Sequence, residues 1–147
     1  VLSMEYLKEI REEASAAYSC GAYGYASAAD DGFKIYQLIG VCPMKPEKRE
    51  IALKIMTDDA NKLASPCDAE MLNKVKALML KQIDDRAKTN SFWSKVIYDN
   101  DKLGVDTYSD YKKLVEEQTP QSISAFMKEF LANGSKITVV MLPEGTK

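Results

Sequence analysis

Histidine is absent from the 147 residues. With it go the commonest general base near neutral pH and the commonest protein ligand of zinc. Neither His-Glu-x-x-His nor its inverse can be written anywhere in the chain. No G-x-S-x-G elbow, no G-x-x-x-x-G-K phosphate loop and no G-x-G-x-x-G ahead of a helix is present either. Gly21-Ala22-Tyr23-Gly24 reads as strand and makes a poor phosphate loop. The three cysteines, Cys20, Cys42 and Cys67, are odd in number and form no C-x-x-C pair. They indicate neither a disulfide framework nor a zinc knuckle, and read as buried small hydrophobes. No apolar run approaches the roughly 20 residues that cross a bilayer, so no membrane span is expected, and no charged-then-apolar signal segment opens the chain. A net charge of −2, with lysines interleaved among acids, leaves no basic stripe and argues against a nucleic-acid partner. The acid pairs Asp30-Asp31 and Asp84-Asp85 sit in turn and surface contexts, without the apolar surround that raises a carboxyl pKa.

What remains is the composition of a soluble globular domain, 46% hydrophobic and 29% charged, in a length suited to one domain or a piece of one. The chain opens at Val1 and enters a helix almost at once, as expected of a segment of a longer polypeptide. Over residues 3–14, Met4, Leu7, Ile10 and Ala14 recur at helical spacing, with Ser3 placed as N-cap. Residues 18–28 alternate small with larger side chains, Asp30-Asp31-Gly32 supplies a turn, and residues 33–42 are rich in β-formers, which predicts a β-hairpin. The small face of that hairpin requires close cover from a neighbouring helix.

Further on, residues 46–63 predict a helix with Pro46 in its first turn and Ile51, Leu53, Ile55, Met56, Ala60 and Leu63 inward. Asp68 caps a longer helix whose buried row is Leu72, Val75, Met79 and Ile83. Helices are also expected over 92–103, 108–117 and 120–131, with Trp93 as core or inter-helix packing and Ile123, Phe126, Met127 and Phe130 inward. The apolar run 136–142 reads as a third, buried strand. A hairpin and a C-terminal strand in one small antiparallel sheet, packed against several helices, is an α+β fold.

One pair of side chains has chemistry to offer. Arg11 flanks the apolar stripe of the first helix, and Tyr18 follows after six intervening residues. On continuous helical geometry the two lie two turns apart on one face. A guanidinium is a permanent fork of donors and a phenol is a donor with a pKa of about 10, so together they suit an oxyanion or a peptide carbonyl, not proton abstraction. The plainer alternative is a surface arginine paired with Glu12 or Asp30.

The run Tyr6-Leu7-x-x-Ile10-Arg11-Glu12-Glu13 with Tyr18-Ser19 resembles a segment in the C-terminal half of the M16 (insulinase, pitrilysin) zinc metallopeptidases. Lys88-Thr89-Asn90-Ser91-Phe92-Trp93, Tyr108-x-x-Tyr111, Thr119-Pro120 and Ile137-Thr138-Val139-Val140-Met141 follow in an order similar to that of bacterial members, so the resemblance runs along nearly the whole chain. It implies half of a clam shell of the LuxS/MPP-like metallohydrolase type, truncated, with the zinc on an N-terminal half that carries His-x-x-Glu-His. Arg11 and Tyr18 match the family's R-x6-Y spacing, and the resemblance implies that Tyr18 donates to the scissile carbonyl while Arg11 binds an adjoining carbonyl or holds the tyrosine.

The implied partners are a peptide substrate and the metal-bearing half, in the same polypeptide or another subunit. Lacking histidine, these residues are expected to bind no zinc and to be inactive alone. Two alternatives stay open: a non-catalytic M16-like binding or structural subunit, and an unrelated α+β domain. A periplasmic or envelope location is implied only by the bacterial resemblance, and three unpaired cysteines weigh against a strongly oxidising space.

Overall fold

The computed structural model describes residues 1–28, 32–142 and 144. The chain begins with α1 (Leu2–Tyr6), which passes without a break into π-helical turns over Leu7–Glu13. Leu2, Tyr6 and Ile10 are the buried positions, and Ile10 has no solvent exposure. The sequence pattern places Met4 and Leu7 inward, but both are only half-buried. In a π-turn the backbone bond spans five residues, so a four-residue step comes close to a full turn and carries the row through residues 6 and 10.

β1 (Gly21–Ala28) and β2 (Lys34–Val41) pair antiparallel along their whole length, from Gly21↔Val41 to Ala28↔Lys34. The hairpin is therefore where the alternation puts it. Asp30 and Asp31 of the expected turn lie outside the described residues, and Gly32 adopts φ +85°. The small face is covered at its inner end. The Ser3 hydroxyl donates to the Ala22 carbonyl at 2.7 Å and accepts from the Ala22 amide at 2.9 Å, clasping the helix to the free edge of β1. Gly40 permits the closest approach, since a Cβ there would stand 2.9 Å from Met56 Cε and 3.3 Å from the Tyr6 ring.

A 3₁₀ turn (Pro46–Lys48) leads into α2 (Arg49–Lys62), whose Ala52 and Asp59 are buried, whereas Ile51 is exposed. Tyr6 donates to the Met56 carbonyl at 2.9 Å and ties α1 to α2. These elements, with Leu63 and Met127, enclose the core. Then come α3 (Ala69–Arg86), capped by Asp68 on the Met71 amide, and α4 (Asn90–Leu103), capped by Thr89. α5 (Tyr111–Glu117) and α6 (Pro120–Asn133) complete the helices, the last opened by a Thr119–Ser122 capping box.

Further expectations need correction, the first being Ser3, which lies inside α1 and is not its N-cap. Residues 136–142 join no ladder, and among the described residues the sheet has two strands only. An apolar run satisfies a strand by composition, yet a strand also needs backbone partners, and this segment pairs with neither β1 nor β2 although residues 139–142 line the same groove as the end of β2. Trp93 is not core. It stays 40% exposed, makes edge contacts with Phe92 and Tyr108, and donates from Nε1 to the Ala87 carbonyl at 2.8 Å. Phe126 likewise lies on the surface, stacked on Phe130.

The fold class is α+β, a hairpin against helices. Its accessible surface of 10405 Å² exceeds the roughly 7,500 Å² that the size scaling assigns to a compact monomer of 16.4 kDa. Much of the excess is apolar. Tyr23, Tyr25, Ile35 and Val41 share the sheet face turned away from the core, and each is 41% exposed or more.

Candidate functional site

The helix that carries Arg11 does not continue to Tyr18. It ends in a wide turn in which the Ala14 amide bonds to the Glu9 carbonyl at 2.9 Å and the Ala16 amide to the Ile10 carbonyl at 2.8 Å. Ser15 takes a left-handed conformation with φ +48°, and the chain reverses. Ala16 is buried under the turn and Ala17 forms an isolated bridge with Met44, so the segment is anchored at two points before Tyr18.

The reversal lays the Tyr18 ring against Arg11, with Cζ 5.3 Å from the ring centroid. The residues that helical geometry would place on one face thus meet by a different route. Cation–π contact of this kind contributes about 0.5–1 kcal/mol at an exposed site. It occupies the face of the ring and leaves the hydroxyl at the rim of a side chain that is 85% exposed. Among the described residues neither the Tyr18 hydroxyl nor the Arg11 guanidinium makes a hydrogen bond or ion pair, so the plainer pairing of Arg11 with Glu12 is not formed; Asp30 lies outside the described residues.

Both side chains line an open groove of about 1300 Å³. One wall is the helix end and residues 15–18; the other is the end of β2 with residues 42–46 and the start of α2; the apolar segment 139–142 borders it. Lys45 and Arg49 stand on the second wall, and no carboxylate is among the described lining residues. Arg49 has only a loose contact with its neighbour Glu50, at 3.6 Å. Three cations, one phenol and a floor of Val, Met and Leu side chains suit an extended chain that carries carbonyl or carboxylate oxygens and apolar side chains.

A second group of ionisable residues lies between the first helix and α2. Asp59 is 2% exposed, and its Oδ2 has no hydrogen-bond partner among the described residues. Burial, and next the charge of Glu9, push its carboxyl up to about 6, opposed by Lys62, which pairs with Glu9 at 3.0 Å. Burial, followed by the charge of Asp59, also pushes the Tyr6 phenol up to about 12. Asp59 and Tyr6 are enclosed and support the core, while the Lys62–Glu9 pair reaches solvent.

Among the described residues no three His, Cys, Asp or Glu side chains stand where they could hold a metal ion. The resemblance places the zinc on a separate half, outside this chain. Sequence reasoning overlooked Lys45 and Arg49, which bracket Pro46 where strand gives way to helix. It also overlooked Asp59, an acid three residues after Met56 and four before Leu63 in the apolar row of α2. Compared with models of known protein families and with curated proteins, the chain matches none.

Proposed function

We propose that this chain is the substrate-binding portion of a zinc-dependent endopeptidase of the M16 type, holding an extended peptide while a separate half supplies metal and nucleophile. The observation that carries the reading is the Arg11–Tyr18 pair, 5.3 Å apart and both on the wall of one groove. With the guanidinium behind it, the Tyr18 ring is held by its face and offers O–H to a peptide carbonyl oxygen. The donor is already oriented before charge develops on that oxygen, which is how such groups lower a barrier. The outward N–H groups of Arg11 serve a neighbouring carbonyl, and Lys45 and Arg49 favour peptides with acidic side chains or a terminal carboxylate. The surface excess over a compact monomer supports a partner half lying against this one.

The experiment has two arms. Binding of a fluorescent, acidic, extended peptide to this chain is expected to weaken about tenfold on Arg11→Ala or Arg49→Ala and to fall further at high salt. In the longer polypeptide, Tyr18→Phe is expected to lower kcat by roughly 100- to 1000-fold with little change in KM, as for loss of an oxyanion donor. Unchanged binding in the first arm refutes the groove. A second reading is a non-catalytic peptide-binding or structural subunit, for which the same groove and the same Arg11–Tyr18 contact suffice without a metal-bearing half. It predicts the same binding losses with no hydrolysis to lose.

A further inference from the structure

We propose that Cys20 and Cys42 form a paired-thiol modification site that closes reversibly to a cross-strand disulfide at the base of the groove. The register carries the argument. Gly21 pairs with Val41, so the next step outward in the same register sets Cys20 against Cys42, and the Ala17↔Met44 bridge, offset by one residue from that register, keeps the two chains adjacent beyond them. Residues directly opposite in an antiparallel pair have Cα atoms about 4.5 or 5.5 Å apart, and a disulfide spans about 4.4 to 6.8 Å.

Both cysteines also point to one face. Alternation puts residue 20 with Ala22 and residue 42 with Gly40, on the side packed against Tyr6. The Cys20 thiol donates to the Tyr6 carbonyl at 3.2 Å, and Cys42 lines the groove. Each thiol is free and half-buried. Cys67 lies by the Val1 amino group, apart from the pair.

A low-molecular-weight disulfide is the oxidant. The Cys42 thiolate, reached from the groove, attacks one of its sulfurs and releases a small thiolate; Cys20 then attacks the Cys42 sulfur of the mixed disulfide and expels the second. One protein S–S bond forms and one reagent S–S bond breaks, and the two thiol protons end on two small thiols. Burial pushes both protein thiols up, so closure is slow at neutral pH and quickens by about tenfold per pH unit towards pH 8.5. The bond ties the Tyr18 wall of the groove to the Lys45 wall.

The test equilibrates the full chain with oxidised and reduced glutathione at pH 8, then alkylates it and maps disulfides by peptide mass spectrometry without reduction. A Cys20–Cys42 link with Cys67 alkylated is expected. The oxidised chain should melt at least about 5 °C higher than the reduced one, a gain absent from Cys42→Ala, and backbone amides of residues 16–20 and 41–45 should exchange more slowly. Full alkylation of all three thiols, a dominant link to Cys67, or a mixed disulfide that stays open on Cys42 overturns the proposal. No peptide enters the assay, so its outcome is independent of the reading of the groove.

Discussion

Replacement of Asp59 by asparagine removes a charge from the place where the fold tolerates it least. The carboxyl is 2% exposed, one of its oxygens is unpartnered among the described residues, and Glu9 and Glu5 add like charge. Its folded-state pKa is pushed up to about 6 from an ordinary 3.8. The folded protein therefore holds the Asp59 proton more tightly than the unfolded chain does. The resulting penalty is absent below about pH 4, grows as pH rises through the interval between the two values, and is complete above about pH 7. The gap between the two values corresponds to about 3 kcal/mol of stability lost across that window.

An asparagine side chain at this position keeps the volume, and its amide donates to the Glu9 carboxylate that pairs with Lys62. Asp59→Asn is expected to stabilise the protein by about 2 kcal/mol at pH 7.5 and by nothing measurable at pH 4. Urea denaturation of both proteins at pH 4, 5.5, 7 and 8 gives the difference curve, in which the other carboxylates cancel. A difference that does not change with pH, or a variant less stable than the parent at pH 7.5, refutes the reasoning.

Two further substitutions test the scaffold around the groove. Ser3→Ala strips both the donor and the acceptor that satisfy the Ala22 backbone at the open edge of β1. It should cost about 1–3 kcal/mol in denaturant melts and speed exchange of the Ala22 amide, and a loss within error would show that water replaces the hydroxyl. Gly104→Ala adds a methyl with nothing within 4 Å, at a helix end with φ +64°. About 1 kcal/mol, purely from the left-handed backbone, is therefore expected by thermal unfolding, and a stabilising effect would contradict the cap geometry.

How far the chain could be read depended on the range of the interaction involved. Asp68 and Thr119 cap the helices that follow them because a cap is settled within four residues, and both were legible from their own neighbourhood, whereas the helix that Thr89 caps was expected to begin only at Phe92. The hairpin was legible because its alternation and turn are likewise local. The π-helical turns were not, since their five-residue bonds have no compositional signature and are held by the packing of Tyr6 and Ile10. Segment 136–142 misled for the converse reason: its residues suit a strand, but pairing is a long-range choice and it pairs with neither described strand. Of the candidate site, Arg11 and Tyr18 were legible by residue type, whereas Lys45 and Arg49 gained meaning only when the groove brought them opposite.

By itself, then, the chemistry of the chain determined an α+β fold with helices in known places, the lack of any histidine to bind metal or take a proton, and the two donor side chains worth watching. Tertiary structure decided that those donors meet through a chain reversal at Ser15, that three cations share one groove and that an acid is buried between the first helix and α2. Each of these depends on residues far apart in sequence, or on a backbone turn imposed by packing, and neither is written in a local pattern.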